Sequence, residues 1–244
     1  MTANPSDTGG PAESAAQQAA QQAEQPQPRL IDQPSDPLAC SNGPATVVLA
    51  HGAGAAMDSP FMEAMARGLA QRGWRVLRFE FPYMARQRLS QRKAAPDRLP
   101  VLQATFEQVV RQEALVGPLL LGGKSMGGRV ASLMADGLRQ ELGAKRLLGC
   151  CCLGYPFHPP GRPETLRTEH LRALSTPTLI LQGERDSFGR REEVEGYQLS
   201  EQIQLAWIPA GDHSFKPTKR SGHSEADNWQ LAVQAIDRFG RALL

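Results

Sequence analysis

From about Arg29 onward, short apolar runs alternate with stretches in which apolar residues recur every three or four positions. The runs Thr46 to Ala50, Val76 to Phe81, Leu119 to Leu121, Leu147 to Leu153, Thr178 to Leu181 and Leu205 to Ile208, with a weaker one at Leu30 and Ile31, predict strands. Each run is nearly continuous in apolar character, the pattern of a strand covered on both faces. The intervening stretches predict helices. Ser59-Pro60 supplies a cap and a first-turn proline before Phe61, Met62, Met65 and Leu69. Leu102, Phe106, Val109 and Val110 make a second apolar stripe, Val130, Leu133, Met134 and Leu138 a third, and Trp229, Val233 and Ile236 the last. Strands and helices alternating this regularly imply right-handed crossovers and an α/β fold, a mainly parallel central sheet with helices on both faces.

Composition sets the limits of that domain. The chain has 244 residues, 41% of them hydrophobic, enough for one sizeable core. Residues 1–28 hold no Leu, Ile, Val or aromatic residue, and 13 of the 28 are Ala or Gln. Such a segment has too little to bury to offset its ordering entropy, so 1–28 is expected to be a disordered low-complexity tail and 29–244 the folded domain. The tail carries Asp7, Glu13 and Glu24 and no basic residue, so the net +2 of the chain divides into −3 and +5. The tail lacks a secretory pattern, and no apolar stretch approaches the roughly 18 residues of a membrane span. A cytoplasmic protein without a membrane partner is the expectation. Four cysteines, three of them consecutive at Cys150 to Cys152, match neither a disulfide framework nor a zinc spacing. No metal and no cofactor is expected. A basic stretch, Arg86 to Arg98, reads as a loop that could steer an anion. It lacks interleaved aromatics, so nucleic acid is not an expected partner. Oligomeric state has no signal in the sequence.

The most informative segment runs from Leu119-Leu-Leu into Gly123-Lys124-Ser125-Met126-Gly127-Gly128 and then into the helical stripe of Val130 to Leu138. A serine on a strained turn from strand to helix needs neighbours without side chains two positions to either side, because the backbones approach closely there. The turn also aims the first amides of the helix at the serine oxygen, so the Met126 N–H can stabilise negative charge. A phosphate-binding glycine loop is the competing reading, but Pro118 stands where the G-x4-G-K-[ST] spacing needs its first glycine.

A serine nucleophile needs a base and a group that holds the base in the right tautomer. Of five histidines, His213 stands in the loop between the last strand and the last helix. Asp186 stands just past the strand Thr178 to Leu181, with Glu184 and Asp212 as competitors for the orienting role. Asp212, adjacent to the histidine, better suits a turn. The small-residue loop His51-Gly52-Ala53-Gly54 after the first long strand offers the Ala53 N–H as a second oxyanion donor. His51 and Asp58 are expected to hold that loop in shape.

The order Ser125, Asp186, His213, each after a strand, together with His51-Gly52, resembles the alpha/beta-hydrolase superfamily. His51-Gly-Ala-Gly, Met57-Asp-Ser-Pro-Phe61, Gly-Lys-Ser-Met-Gly-Gly and Tyr155-Pro-Phe-His-Pro-Pro-Gly-Arg-Pro163 are similar to a compact branch of it. That branch is related to dienelactone hydrolases and includes a testis-expressed protein and a chromatin-complex subunit. The resemblance covers residues 29–244. It implies Ser125 as nucleophile, His213 as base, Asp186 as acid and the Met126 and Ala53 amides as the oxyanion hole. Dienelactone hydrolases use cysteine at the Ser125 position, so their substrate does not carry over. The chromatin-subunit relative keeps a second class open, an inactive interaction module on the same fold.

Larger hydrolases of this kind insert a cap between the strands that here end near Phe157 and begin near Thr178. About twenty residues, stiffened by Pro156, Pro159, Pro160 and Pro163, cannot fold as a separate lid. An open cleft, no large cap domain and a small or moderate acyl substrate follow, with Tyr155, Phe157 and His158 expected to line one wall, and with packing of this loop over the sheet edge as the equal alternative.

Overall fold

The computed structural model describes residues 27–40 and 43–244. The elements in chain order are β1 (Arg29–Asp32), β2 (Ala39–Cys40), β3 (Gly43–Pro44), β4 (Thr46–Ala50), α1 (Pro60–Ala70), β5 (Arg75–Phe79), α2 (Pro82–Ser90), α3 (Leu99–Glu113), β6 (Leu119–Lys124), α4 (Met126–Leu142), β7 (Leu147–Leu153), β8 (Thr178–Gly183), α5 (Arg191–Val194), β9 (Ile203–Ile208) and α6 (Glu225–Arg241). Seven strands form one sheet in the order β1-β5-β4-β6-β7-β8-β9. Within it β1 pairs antiparallel with β5 and the other five pairs are parallel, while β2 and β3 form a separate antiparallel pair.

The sheet divides the core into two layers. On one side Val48, Leu77, Phe79 and Leu121 meet Phe106 and Val110 of α3 and Val130 and Leu138 of α4. On the other Val47, Leu49, Val76 and Leu179 meet Met62 and Leu69 of α1 and Val233 and Ile236 of α6. Strands buried on both faces have no polar alternation to show, which is why their sequences read as unbroken apolar runs. The strand order also places the site. From β4 the chain goes first to β5 on one side and later to β6 on the other, so the carboxyl ends of β4 and β6 diverge into a crevice.

Three sequence expectations change at this level. β6 continues past its leucines through Gly122, Gly123 and Lys124 to the turn itself. Gly122 is required there, since a Cβ would come within 2.5 Å of the Cys151 sulfur. The stretch beginning at Arg86 is not loop throughout, because Arg86–Ser90 lie in α2, which Pro82 opens. Only Pro82, Tyr83 and Met84 of that helix are buried, too few to write a helical stripe into the sequence. Of the tail expected over 1–28, Gln27 and Pro28 are described. The Pro28 carbonyl accepts the Glu80 amide at 3.1 Å, and Gln27 is buried. The rest of that expectation lies outside the described residues. Among the described residues no helix is long and apolar enough to cross a membrane. Cys150, Cys151 and Cys152 are fully buried free thiols in β7.

Candidate active site

Ser125 joins β6 to α4 with φ 50° and ψ −112°, a conformation that side-chain-bearing residues avoid. The surrounding glycines make it possible. A Cβ on Gly123 would sit 2.4 Å from the Gly127 carbonyl carbon, and one on Gly127 would sit 2.5 Å from the Ala50 oxygen. The serine is anchored from both sides: its amide donates to the Leu153 carbonyl at 2.9 Å and its carbonyl accepts the Arg129 amide at 3.0 Å. Met126 opens α4, so its N–H belongs to the first turn, whose amides have no acceptor within the helix.

His213 follows β9 by way of Pro209, Ala210 and Gly211. Its Nδ1 lies 2.8 Å from Asp186 Oδ2 and its Nε2 lies 2.8 Å from Ser125 Oγ. Asp186 is fully buried, and its two oxygens also accept the Phe188 amide at 2.9 Å and Gln182 Nε2 at 3.0 Å. A carboxylate beside Nδ1 holds the proton on that nitrogen, which leaves the Nε2 lone pair facing the serine hydroxyl. Phe188 stacks on the imidazole with centroids 4.2 Å apart. The competing carboxylates do other work. Asp212 Oδ1 accepts the amides of Ser214 and Lys216 and shapes the histidine turn. Glu184 accepts the Ala210 amide at 2.8 Å and pairs with Arg191.

The loop after β4 lies against the serine. A Cβ on Gly52 would meet Ser125 Cβ at 3.7 Å, so the exposed Ala53 stands on the lip of the same crevice. His51 is buried inside that loop. Its Nε2 accepts the Phe81 amide at 3.0 Å, so Nδ1 carries the proton and donates to the Gly52 carbonyl at 2.7 Å. Burial pushes its pKa down and keeps it neutral. The Tyr83 hydroxyl reaches the carbonyls of Gly52 at 3.2 Å and Ala53 at 3.1 Å. Asp58 pairs with Arg88 at 2.9 Å.

Tyr155, Phe157 and His158 do not line the cleft. Tyr155 and Phe157 have no exposed surface and His158 only 3%. The Tyr155 amide and carbonyl are both taken by the Gln182 side chain, and its hydroxyl donates to the Arg167 carbonyl at 2.9 Å. Its ring packs on Phe157 with centroids 4.8 Å apart, and His158 turns toward Glu193. These aromatics are the floor beneath the proline-rich loop, because the short connection from β7 must cover the sheet with whatever it carries.

Four residues that support the triad and the loop after β4 carry no signal in the sequence. Tyr83 and Gln182 carry no motif, and Phe188 is a lone aromatic. Lys124 is the variable position of the Gly-x-Ser-x-Gly string, where a charged side chain ordinarily signals exposure. Instead it is buried, and its Nζ donates to the His213 carbonyl at 2.5 Å and lies 5.5 Å from the centroid of the Phe61 ring. Burial pushes its pKa down to about 8, against the opposing pull of Asp186 and Asp212.

Residues 43–241 match the family model described as an alpha/beta hydrolase domain. Solved structures share the fold at low identity. A serine hydrolase without a lid from Xanthomonas campestris is 21% identical, with a TM-score of 0.62 and 88% of each chain covered. A thermophilic esterase from Thermogutta terrifontis is 19% identical, with a TM-score of 0.61, 88% of this chain and 93% of that one covered. A dienelactone hydrolase from Anabaena variabilis is 20% identical, with a TM-score of 0.59, 88% of this chain and 91% of that one covered.

Proposed function

Because the chain belongs to the alpha/beta hydrolase domain family, we propose that it is a cytoplasmic serine hydrolase cleaving an ester, thioester or similar acyl bond of a small or moderate substrate. On its motifs we place it in the compact branch similar to dienelactone hydrolases. The observation that carries the reading is the continuous relay from Asp186 through His213 to Ser125, with both hydrogen bonds at 2.8 Å. Ser125 Oγ attacks the acyl carbon while His213 Nε2 takes its proton, and Asp186 stabilises the imidazolium that forms. The oxyanion accepts hydrogen bonds from the Met126 and Ala53 amides. His213 then returns the proton to the leaving group, and water attacks the acyl-enzyme by the same route in reverse. No cofactor enters these steps. The short connection between β7 and β8, without a lid domain, favours substrates that need not be enclosed.

A serine-directed fluorophosphonate probe tests the mechanism. Labelling of the wild-type chain that is lost in Ser125→Ala is expected. Absent labelling, or labelling that the substitution leaves unchanged, would count against it and return weight to the interaction-module reading. Hydrolysis of p-nitrophenyl esters of graded chain length then measures the acyl group, with rates expected to fall for long chains.

A further inference from the structure

Arg129 and Arg167 line one cavity of about 450 Å³, together with Leu133, Leu166, Glu169 and His170. None of these residues belongs to the Ser125, His213, Asp186 relay. Among the described residues neither guanidinium has a carboxylate at ion-pair distance. Other arginines of the domain do, including Arg75, Arg78, Arg88 and Arg191. The Nε of Arg129 is closed off from solvent with no hydrogen-bond partner. Two guanidiniums in one cavity repel each other unless an anion offsets them.

The two cations are also held in place. Arg129 lies in the first turn of α4, its amide bonded to the Ser125 carbonyl. The Arg167 amide donates to the Phe157 carbonyl at 2.8 Å and its carbonyl accepts the Tyr155 hydroxyl, so the buried aromatics fix its backbone. Burial and the field of Arg129 push the Arg167 guanidinium below its ordinary pKa, though an arginine stays charged in water-accessible pH ranges. Burial, followed by the same field of Arg129, holds His170 at about 4, so it is neutral at pH 7. The Ser132 hydroxyl donates to the Arg129 carbonyl and its oxygen faces His170 Nε2, both at 2.9 Å, which ties the histidine to α4. Two arginines against the one carboxylate of Glu169 leave the walls net positive, and Leu133 with the 43%-exposed Leu166 adds apolar surface.

We propose that this cavity is an anion site in which Arg129 and Arg167 together bind the carboxylate or phosphate group of a small molecule, with its carbon skeleton against Leu133 and Leu166. Paired guanidinium forks match the planar or tetrahedral oxygens of such groups. The backbone of Arg129 stands one helical turn from Ser125, its amide bonded to the Ser125 carbonyl.

The test is calorimetric titration of the full chain with inorganic phosphate and with succinate. Wild type is expected to bind at a single saturable site. Arg129→Gln and Arg167→Gln should each weaken binding by about tenfold or more, the loss of charge-assisted hydrogen bonds, and Glu169→Gln should tighten it by removing the opposing charge. Circular dichroism identifies a variant that fails to fold, and the wild-type and Glu169→Gln titrations stand without it. No saturable binding by wild type, or unchanged affinity in both folded arginine variants, would overturn the proposal. This readout does not require Ser125 to be a nucleophile. Its source follows from kinetics: phosphate that competes with an acid-terminated p-nitrophenyl ester and not with the acetate marks an anion carried by the substrate. Phosphate that binds without affecting either ester marks a separate ligand.

Discussion

Lys124→Met separates two energies that the wild-type chain combines at one atom. The ammonium lies in the interior beside the triad, and burial moves its pKa from the ordinary 10.5 to about 8. At about 1.36 kcal/mol per pKa unit, holding the charge in the folded state costs about 3 kcal/mol relative to the unfolded chain at pH 7. The sign follows from proton counting. Between pH 8 and 10.5 the unfolded chain keeps a proton that the folded chain has released, so wild-type stability rises with pH across that window. The methionine variant has no such rise. It also loses the hydrogen bond to the His213 carbonyl, a loss of about 1 to 3 kcal/mol that is present whether or not the amine is charged. At pH 7 the two effects oppose each other, and the variant should be close to wild type or more stable. At pH 10 most of the charge penalty is gone and wild type should be the more stable. Urea denaturation of both proteins at the two pH values reads the difference directly, because groups common to both, including the buried Tyr83 and Tyr155, cancel. We expect wild type to gain about 2 to 3 kcal/mol on the variant between pH 7 and pH 10. Esterase kcat/KM should fall in the variant, since the histidine loop loses its tether to the elbow. An identical stability difference at pH 7 and pH 10 would refute the buried ammonium and its cost.

Asp186→Asn offers one acceptor oxygen where Asp186 Oδ2 serves both His213 and Gln182. An amide facing the imidazole selects the wrong tautomer, so kcat on a p-nitrophenyl ester should drop by about 10⁴ with KM little changed; a loss below about tenfold would contradict the role of Asp186. Tyr83→Phe removes the hydroxyl that reaches the Gly52 and Ala53 carbonyls. It should cost about 1 kcal/mol in chemical denaturation and lower kcat more than it raises KM, because the oxyanion loop loosens. Gly127→Ala forces a Cβ to 2.5 Å from the Ala50 oxygen and should destabilise by about 3 kcal/mol or prevent folding. Gly137→Ala, in the same helix with nothing within 4 Å, should instead stabilise by about 0.5 to 1 kcal/mol in a thermal melt.

The parts of the site that were legible in the sequence are those that local geometry dictates. Gly123, Gly127 and Gly128 around Ser125 declare a close backbone approach, because nothing else fits there. The apolar runs locate β6, β8 and β9, and Ser125, Asp186 and His213 stand within a few residues of the carboxyl ends of those strands. The parts that were not legible depend on neighbours distant in the chain. Tyr155, Phe157 and His158 read as cleft residues because a proline-rich loop ordinarily runs over a surface. Gln182 and the Arg167 carbonyl draw Tyr155 inward, and the inward turn of this loop carries Phe157 with it. Nothing in the motif around Lys124 announces its burial, because the His213 loop that closes over it comes from 89 positions away. Helix α2 was hidden because so little of it is buried.

The sequence by itself determined the alternation of strands and helices, the strained serine turn and the order of the three polar residues. Periodicity and glycine spacing report local requirements, and those survive in one dimension. The tertiary structure alone decided that the Ser125 hydroxyl lies 2.8 Å from the His213 ring across 88 residues, and that two arginines share a cavity with the single carboxylate of Glu169. Those facts follow from strand order and loop packing, in which each side chain's surroundings are supplied by segments that its own neighbourhood in the chain does not encode.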